Sequence, residues 1–283
     1  MTGIDRITRA FEVSNATRIG GGRVATRTID DTSSRRIALM THAVVGYPDM
    51  RSSARILAEM AAAGADFLEA QLPFSDPSAD GASIVEANYG ALGAGSSTRS
   101  CLAALELLRA STEVPILVMS YVNVLYAYGI DAIVERAAKT GIDGFIVPDY
   151  PDDEAELGLA ESCAAAGLAL VPLIAPTTSY ERAQELASAS ASPFLYAVTR
   201  LGVTGRKTEL DSGSIDRLKT LRSRTGKRIA AGFGIREKSQ VLALEGAADC
   251  AIVGSALVDE IRSAVASGGD PAAAVGKFVR SLR

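Results

Sequence analysis

The feature that most constrains this chain is a rhythm. From Arg36 onward, short apolar runs alternate with amphipathic stretches until the chain ends. The runs lie near Ile37–Val45, Asp66–Leu72, Pro115–Ser120, Gly144–Pro148, Leu168–Ile174, Phe194–Thr199, Arg228–Ala231 and Cys250–Val253. Each is too short for a helix and is bounded by turn residues, as expected of a buried strand. Between them, Met50–Ala63, Ser100–Ala110, Ile130–Thr140, Ala155–Ala166, Ser179–Ala189, Ile215–Thr225, Lys238–Glu245 and Ser255–Ala266 carry helical spacing. Parallel strands linked by right-handed helical crossovers close into a cylinder when the unit repeats eight times. The expected fold is therefore α/β, a single (β/α)8 TIM barrel over residues 37–283. Its 283 residues and 48% apolar content suit one such unit, which commonly runs to about 250 residues. The rival, an open doubly wound sheet, should carry a glycine-rich phosphate fingerprint at its first turn, and Gly46-Tyr47-Pro48 is not one.

Three of the strands are entered by a repeated step: Gly64-Ala65-Asp66, Gly141-Ile142-Asp143 and Gly246-Ala247-Ala248-Asp249. Each supplies a helix-ending glycine and a polar turn into the next strand. Residues 1–36 differ from the rest. Ile4 to Arg18 has helical spacing, with Ile4, Ile7, Phe11 and Val13 on one side. Gly20-Gly21-Gly22 and a Thr/Asp/Ser/Arg-rich stretch then read as a flexible arm. Asp270 to Arg283 reads as a closing helix.

Composition excludes some functions. A net charge of −4 gives no basic field for nucleic acid. Cys101, Cys163 and Cys250 are odd in number and outside any Cys-x-x-Cys spacing, which argues against a zinc site or a disulfide framework and for a reducing, cytoplasmic setting. The N-terminus lacks the apolar core of a signal peptide, and no run reaches membrane-span length. A soluble cytoplasmic protein is expected.

Chemistry concentrates in Asp66–Gly81. A strand buried on both faces has no cheap place for an acid, yet this one contains Glu69. The loop after it, stiffened by Pro73 and Pro77, carries Asp76 and Asp80. An acid near a strand's carboxyl end and another on the following loop is how a barrel builds a site. Glu69 and Asp80 are thus the acid/base candidates; the plainer reading is a paired structural acid beside a Pro-Asp turn. Tyr121 and Tyr196 lie at strand ends that face the same mouth, and either is otherwise an ordinary core aromatic. Ala231-Gly232-Phe233-Gly234 and Val253-Gly254-Ser255 follow the last two strands, where barrels frequently bind phosphate through backbone N–H groups and a helix N-terminus. Gly202-Val203-Thr204-Gly205, with Arg206 and Lys207 beside it, suits a mobile lid or simply a disordered connection.

In order, the chain carries Gly46-Tyr-Pro48, Pro73-Phe-Ser-Asp-Pro77, Ala79-Asp-Gly81, Tyr121-Val-Asn123, Val147-Pro-Asp149, Ala175-Pro-Thr-Thr178, Gly202-Val-Thr-Gly205, Gly232-Phe-Gly234 and Gly254-Ser255. From about residue 37 to about residue 266 this resembles the tryptophan synthase alpha chain family. The resemblance implies a lyase of tryptophan biosynthesis that cleaves indole-3-glycerol phosphate to indole and glyceraldehyde 3-phosphate without a cofactor or metal. It makes Glu69 the general acid/base and Asp80 the holder of the indole N–H. Tyr121, Tyr196 and Thr204 would then contact substrate, and Gly205, Phe233, Gly234, Gly254 and Ser255 would hold phosphate. It also implies a β-chain partner, met by Pro73, Asp76 and Asn123.

The sequence departs from that pattern in places. Gln71 stands where the family usually has glycine, on the same strand face as Glu69 and within reach of it. His42, the only histidine, stands where an aromatic ring usually lines the indole cavity; its plain alternative is a satisfied core residue. Ala82 replaces a proline, and the stretch from Ile19 to Ser34 is additional. Polar groups at 42 and 71 should weaken binding of an apolar ring by about 1–3 kcal/mol unless they satisfy each other. Slow turnover follows, with a gain on restoring glycine and phenylalanine. Three other readings stay open: another barrel enzyme with a phosphorylated substrate, a diverged paralogue, and a non-catalytic partner of a β chain.

Overall fold

A computed structural model describes residues 1–14, 17–19, 23–25, 36–150, 157–198, 211–232 and 234–283. Nine parallel strands form one sheet: β3 (Ala38–Val44), β4 (Phe67–Gln71), β5 (Ile116–Met119), β6 (Gly144–Ile146), β7 (Ala169–Leu170), β8 (Leu173–Ile174), β9 (Phe194–Val198), β10 (Arg228–Gly232) and β11 (Cys250–Val253). Their order is β7-β6-β5-β4-β3-β11-β10-β9-β8. The two outermost strands are consecutive pieces of one chain segment, parted by Val171-Pro172. Proline has no N–H to give a ladder, which accounts for the break. The segment still bonds on both sides, Val171 N–H to the Phe145 carbonyl and Tyr196 N–H to the Pro172 carbonyl, each at 2.9 Å. The sheet therefore closes as eight staves, the expected barrel.

Observed strands and helices fall on the expected segments. Among the helices are α2 (Met50–Ala62), α4 (Thr98–Arg109), α6 (Ile130–Thr140), α7 (Leu159–Ala165), α8 (Tyr180–Ala189), α9 (Ser212–Thr225), α10 (Lys238–Ala243), α11 (Ser255–Ala266) and α12 (Pro271–Ser281). Two were not anticipated, α3 (Ala82–Gly93) and α5 (Val122–Tyr128). The buried face of α3 is Ile84, Ala87, Asn88 and Ala91, a helical spacing hidden by small residues. Side chains alternate across the barrel wall: Leu39, Leu68, Val118 and Phe145 pack outward under the helices, while Met40, Phe67, Leu117 and Phe194 fill the interior.

The amino-end floor is plugged by α1 (Gly3–Ser14), whose Ile7 and Phe11 are fully buried with the interior cluster. Phe11 lies 4.6 Å from the Phe67 ring and 5.5 Å from Phe194. Val13, expected on that face, is exposed instead, because two residues past Phe11 is about 200° around the helix, and Ser14 takes the buried position. Within the stretch read as an arm, β1 (Thr17–Ile19) and β2 (Arg23–Ala25) form an antiparallel ladder, so part of it is ordered as a hairpin. The three Asp steps do more than turn the chain. Asp66, Asp143 and Asp249 accept the N–H of Leu39, Ile116 and Ile229 at 2.8, 2.7 and 3.0 Å. Each also pairs with arginine: Asp66 with Arg36 and Arg283, Asp143 with Arg6 and Arg109, Asp249 with Arg222. All three cysteines are free and buried, and no helix among the described residues is long and apolar enough to cross a membrane.

Candidate active site

The opposite end of the barrel is polar inside. Strands β3 and β4 pair with His42 beside Glu69 and Val44 beside Gln71. Strand alternation therefore turns His42, Glu69 and Gln71 inward, above the apolar layer of Met40 and Phe67. Relative exposures are 3% for His42, 1% for Glu69, 0% for Gln71 and 4% for Asp80. His42 Nδ1 lies 3.5 Å from Glu69 Oε1, and Gln71 Nε2 donates to Asp80 Oδ2 at 2.6 Å. Among the described residues, three atoms of this cluster have no hydrogen-bond partner: His42 Nε2, Glu69 Oε2 and Gln71 Oε1. A buried polar group left unpaired costs about 1–3 kcal/mol. Carrying three of them in one chamber is the mark of a site shaped for a ligand.

The loop after β4 folds back over the strand end to bring Asp80 in. Ala79 N–H donates to the Tyr121 hydroxyl at 3.0 Å, and the Phe74 and Tyr121 rings lie 5.3 Å apart. Asn88 fixes the loop's start: its Oδ1 accepts Phe74 N–H at 2.9 Å while its Nδ2 donates to the Ile84 carbonyl at 2.8 Å. Asn88 was not singled out from sequence. An amide on the buried stripe of a small-residue helix was the signal available. Because the loop returns over the strand, Gln71 engages Asp80 rather than the expected Glu69, and each of the two unusual polar residues is held by an acid.

Electrostatics follow from burial among like charges. Burial raises the Asp80 carboxyl above its ordinary range, only partly offset by the Gln71 amide, His42 and the Tyr121 hydroxyl. For His42, burial pulls downward, but Glu69 and then Asp80 outweigh it, with the Gln71 amide adding, and the imidazole ends up raised. Burial also pushes both phenols upward, reinforced by Asp80 at Tyr121 and by Glu69 and Asp80 at Tyr196. Both tyrosines are therefore neutral hydroxyls at physiological pH.

Next to β3 in the wall, β11 and its neighbour β10 run parallel with Gly232 beside Ile252, so their two glycine turns leave the barrel side by side. Gly234 has φ of 65°, a conformation that favours glycine. Gly254 precedes α11, and Leu257 and Val258 both donate to its carbonyl. The N–H groups of Ser255 and Ala256 at the helix start thus have no intrahelical acceptor, an arrangement suited to an anion. A Cβ placed on Gly254 would meet His42 Cβ at 3.8 Å and Ile84 at 3.9 Å, ordinary contacts, so packing alone does not require glycine there. The same distances put the turn directly beside His42. Thr204, Gly205 and Phe233 lie outside the described residues. Of the three residues expected to face a partner, Asp76 and Asn123 are exposed, whereas Pro73 is buried under its own loop.

A buried acid on a strand, a second acid on the next loop and a glycine-lined helix start beside His42 are thus brought together at one end of the barrel. Residues 29–282 match the family model described as tryptophan synthase alpha chain. A tryptophan synthase alpha chain from Syntrophotalea carbinolica is 39% identical over 251 residues, covering 89% of this chain and 96% of the relative. Among solved structures, Mycobacterium tuberculosis tryptophan synthase superposes with a TM-score of 0.78 at 30% identity, covering 87% of this chain and 91% of that one. A mutant alpha-subunit from Pyrococcus furiosus gives the same TM-score and identity, covering 87% of this chain and 97% of that one. Sequence, fold and the placing of the acids converge, and the chain belongs to the tryptophan synthase alpha chain family.

Proposed function

We propose that this protein is an indole-3-glycerol-phosphate lyase, releasing indole and glyceraldehyde 3-phosphate by retro-aldol cleavage. The observation that carries the reading is the pair of buried acids, Glu69 and Asp80, in a chamber that also borders the α11 helix start. Cleavage needs a proton delivered to indole C3, a partner for the charge that develops at the ring nitrogen, and a base for the glycerol hydroxyl. Glu69, with Oε2 unpartnered, is suited to the first task. Asp80, held by Gln71 and close to Tyr121, is suited to receive the ring N–H. In this reading Gly234, Gly254 and Ser255 take the glycerol phosphate, and the family resemblance adds Gly205 and Phe233 for the phosphate and Thr204 for the substrate. Tyr121 and Tyr196 line the ring cavity with His42 and Gln71.

The catalytic unit in this reading is residues 37–283, with residues 1–36 as its N-terminal helix and arm, working in the cytoplasm. Its partner is a tryptophan synthase β chain, approached through the exposed Asp76 and Asn123. Incubating purified protein with indole-3-glycerol phosphate tests the activity: equal amounts of indole and glyceraldehyde 3-phosphate are expected. No cleavage with or without a β chain would refute it. Calorimetric titration with a β chain from the same source tests the partnership, and absence of association would leave a stand-alone lyase.

A further inference from the structure

We infer that His42 is a second proton carrier of this site, forming with Glu69 a dyad that divides the acid and base work of the cleavage between two side chains. The inference rests on the proposed lyase reaction and adds a catalytic residue to it. Its basis is geometric. His42 and Glu69 are cross-strand neighbours on the inner face, and one atom of each, Nδ1 and Oε1, faces the other at 3.5 Å. The remaining atoms, His42 Nε2 and Glu69 Oε2, are buried without protein partners. A histidine satisfied in a core would have both nitrogens engaged. This one has one nitrogen on the candidate acid and the other without a hydrogen-bond partner among the described residues, on a side chain that lies beside the Gly254 turn.

A lone carboxyl must give its proton to the ring carbon and then recover another from the hydroxyl at a different place on the substrate. Two neighbouring groups separate these tasks in space. Glu69 Oε2 gives a proton to indole C3, using an electron pair of the ring, and the positive charge falls on the ring nitrogen, which faces Asp80. His42 Nε2 then takes the proton of the hydroxyl on the adjacent glycerol carbon. The oxygen's electron pair becomes the aldehyde C=O bond, the C3–glycerol bond breaks, and its pair returns to the ring as indole. One proton has left the dyad and one has entered, so its total is unchanged. Exchange with water on product release restores the starting tautomer. The groups facing His42 are Glu69 and Gln71 from β4 and Asp80 from the following loop, with Gly254 beside it. Glu69 and Asp80 are the titratable groups among them, and the cleavage starts with the dyad's exchangeable proton on Glu69 and with His42 Nε2 unprotonated.

The test compares wild type with His42→Phe and His42→Asn for indole release, together with exchange of the indole C3 hydrogen in D2O. Asparagine can still donate to Glu69 but cannot titrate, so it separates positioning from proton transfer if phenylalanine impairs folding. Expected is a fall in kcat of about 10²-fold or more in both variants, with KM nearly unchanged. The acid limb of the kcat–pH profile should be lost, while C3 exchange by Glu69 persists. Glu69→Gln should lose both cleavage and exchange. If either His42 variant cleaves at the wild-type kcat with the acid limb intact, or changes only KM, His42 is a cavity-lining contact and the dyad is refuted. Wild type that releases no indole would refute the lyase reading itself, and this inference with it.

Discussion

The two ends of this barrel use the same residue type in opposite ways. At the amino end, Asp66, Asp143 and Asp249 each accept a strand N–H and pair with one or two arginines. Below them, the Phe11 plug of α1 fills the floor with aromatic surface. At the carboxyl end, Glu69 and Asp80 pair with no arginine among the described residues; a histidine and an amide hold them, and Glu69 Oε2 is left unpaired there. A carboxylate clamped by cations and N–H groups ties the fold together, even where burial raises it above its ordinary range, as at Asp143. A carboxylate buried among weaker partners is costly to the fold and free to exchange a proton. The same contrast holds for the strands, whose lower halves are apolar and whose upper halves carry His42, Glu69 and Gln71.

Predictions that could break this contrast run from large effects to small. Glu69→Gln should lower turnover by about 10²–10⁴-fold while the substrate still binds, read by steady-state indole release and by calorimetry. Asp143→Ala should do the reverse. It leaves Arg109 without its paired carboxylate and Arg6 with only the exposed Glu113 at 3.7 Å, and should cost about 3–5 kcal/mol in urea unfolding, with kcat nearly unchanged where the protein is folded. Gln71→Gly removes the donor on Asp80 and should cost about 1–3 kcal/mol of transition-state stabilisation, seen in kcat/KM. This reverses the expectation drawn from sequence, which treated residue 71 as an obstacle to the ring rather than as support for an acid.

Asp80→Asn sharpens the comparison through pH. Burial raises the folded-state pKa of Asp80 above its unfolded value, so the folded chain binds that proton more tightly than the unfolded one. Ionisation therefore takes stability away as pH rises through the raised value, and the whole loss is present above it. The variant should accordingly melt higher than wild type near neutral pH, lose this advantage in acid below the unfolded value, and be poorly active throughout. A lower melting temperature at neutral pH would mean that Asp80 is a structural acid like those at the floor. The smallest effect expected is for Gly254→Ala: no loss of stability, because its Cβ makes ordinary contacts, but a higher KM from crowding at the phosphate turn.

Much of the architecture was legible because its signals are local. Strand and helix limits fell within a few residues of the sequence reading, and Glu69 was visible as an acid inside an apolar run. Less legible was whatever depends on a fold-back. Helix α3 was hidden because its core face is built from small residues and an amide. The break at Pro172 disappears within one apolar run. Val13 is apolar but two residues past Phe11, which puts it on the outer face of α1 while Ser14 takes the buried position. The pairing of Gln71 with Asp80 needs the loop after β4 to return over its own strand, which spacing along the strand cannot show. The arginine partners of the floor acids come from the termini and from distant helices, contacts that no local pattern encodes.

The central claim is that the two ends are separate in energy, one set of acids holding the fold and the other doing the chemistry. The double variant Glu69→Gln with Asp143→Ala, measured for both unfolding free energy and indole release beside its two single variants, tests it most directly. Separate ends predict additivity: the stability change should equal the sum of the single changes within about 0.5 kcal/mol. The turnover loss should equal that of Glu69→Gln alone. A double variant whose stability departs well beyond that margin, or whose turnover falls further because Asp143 is gone, would show that the floor and the site act as one unit and would contradict the account.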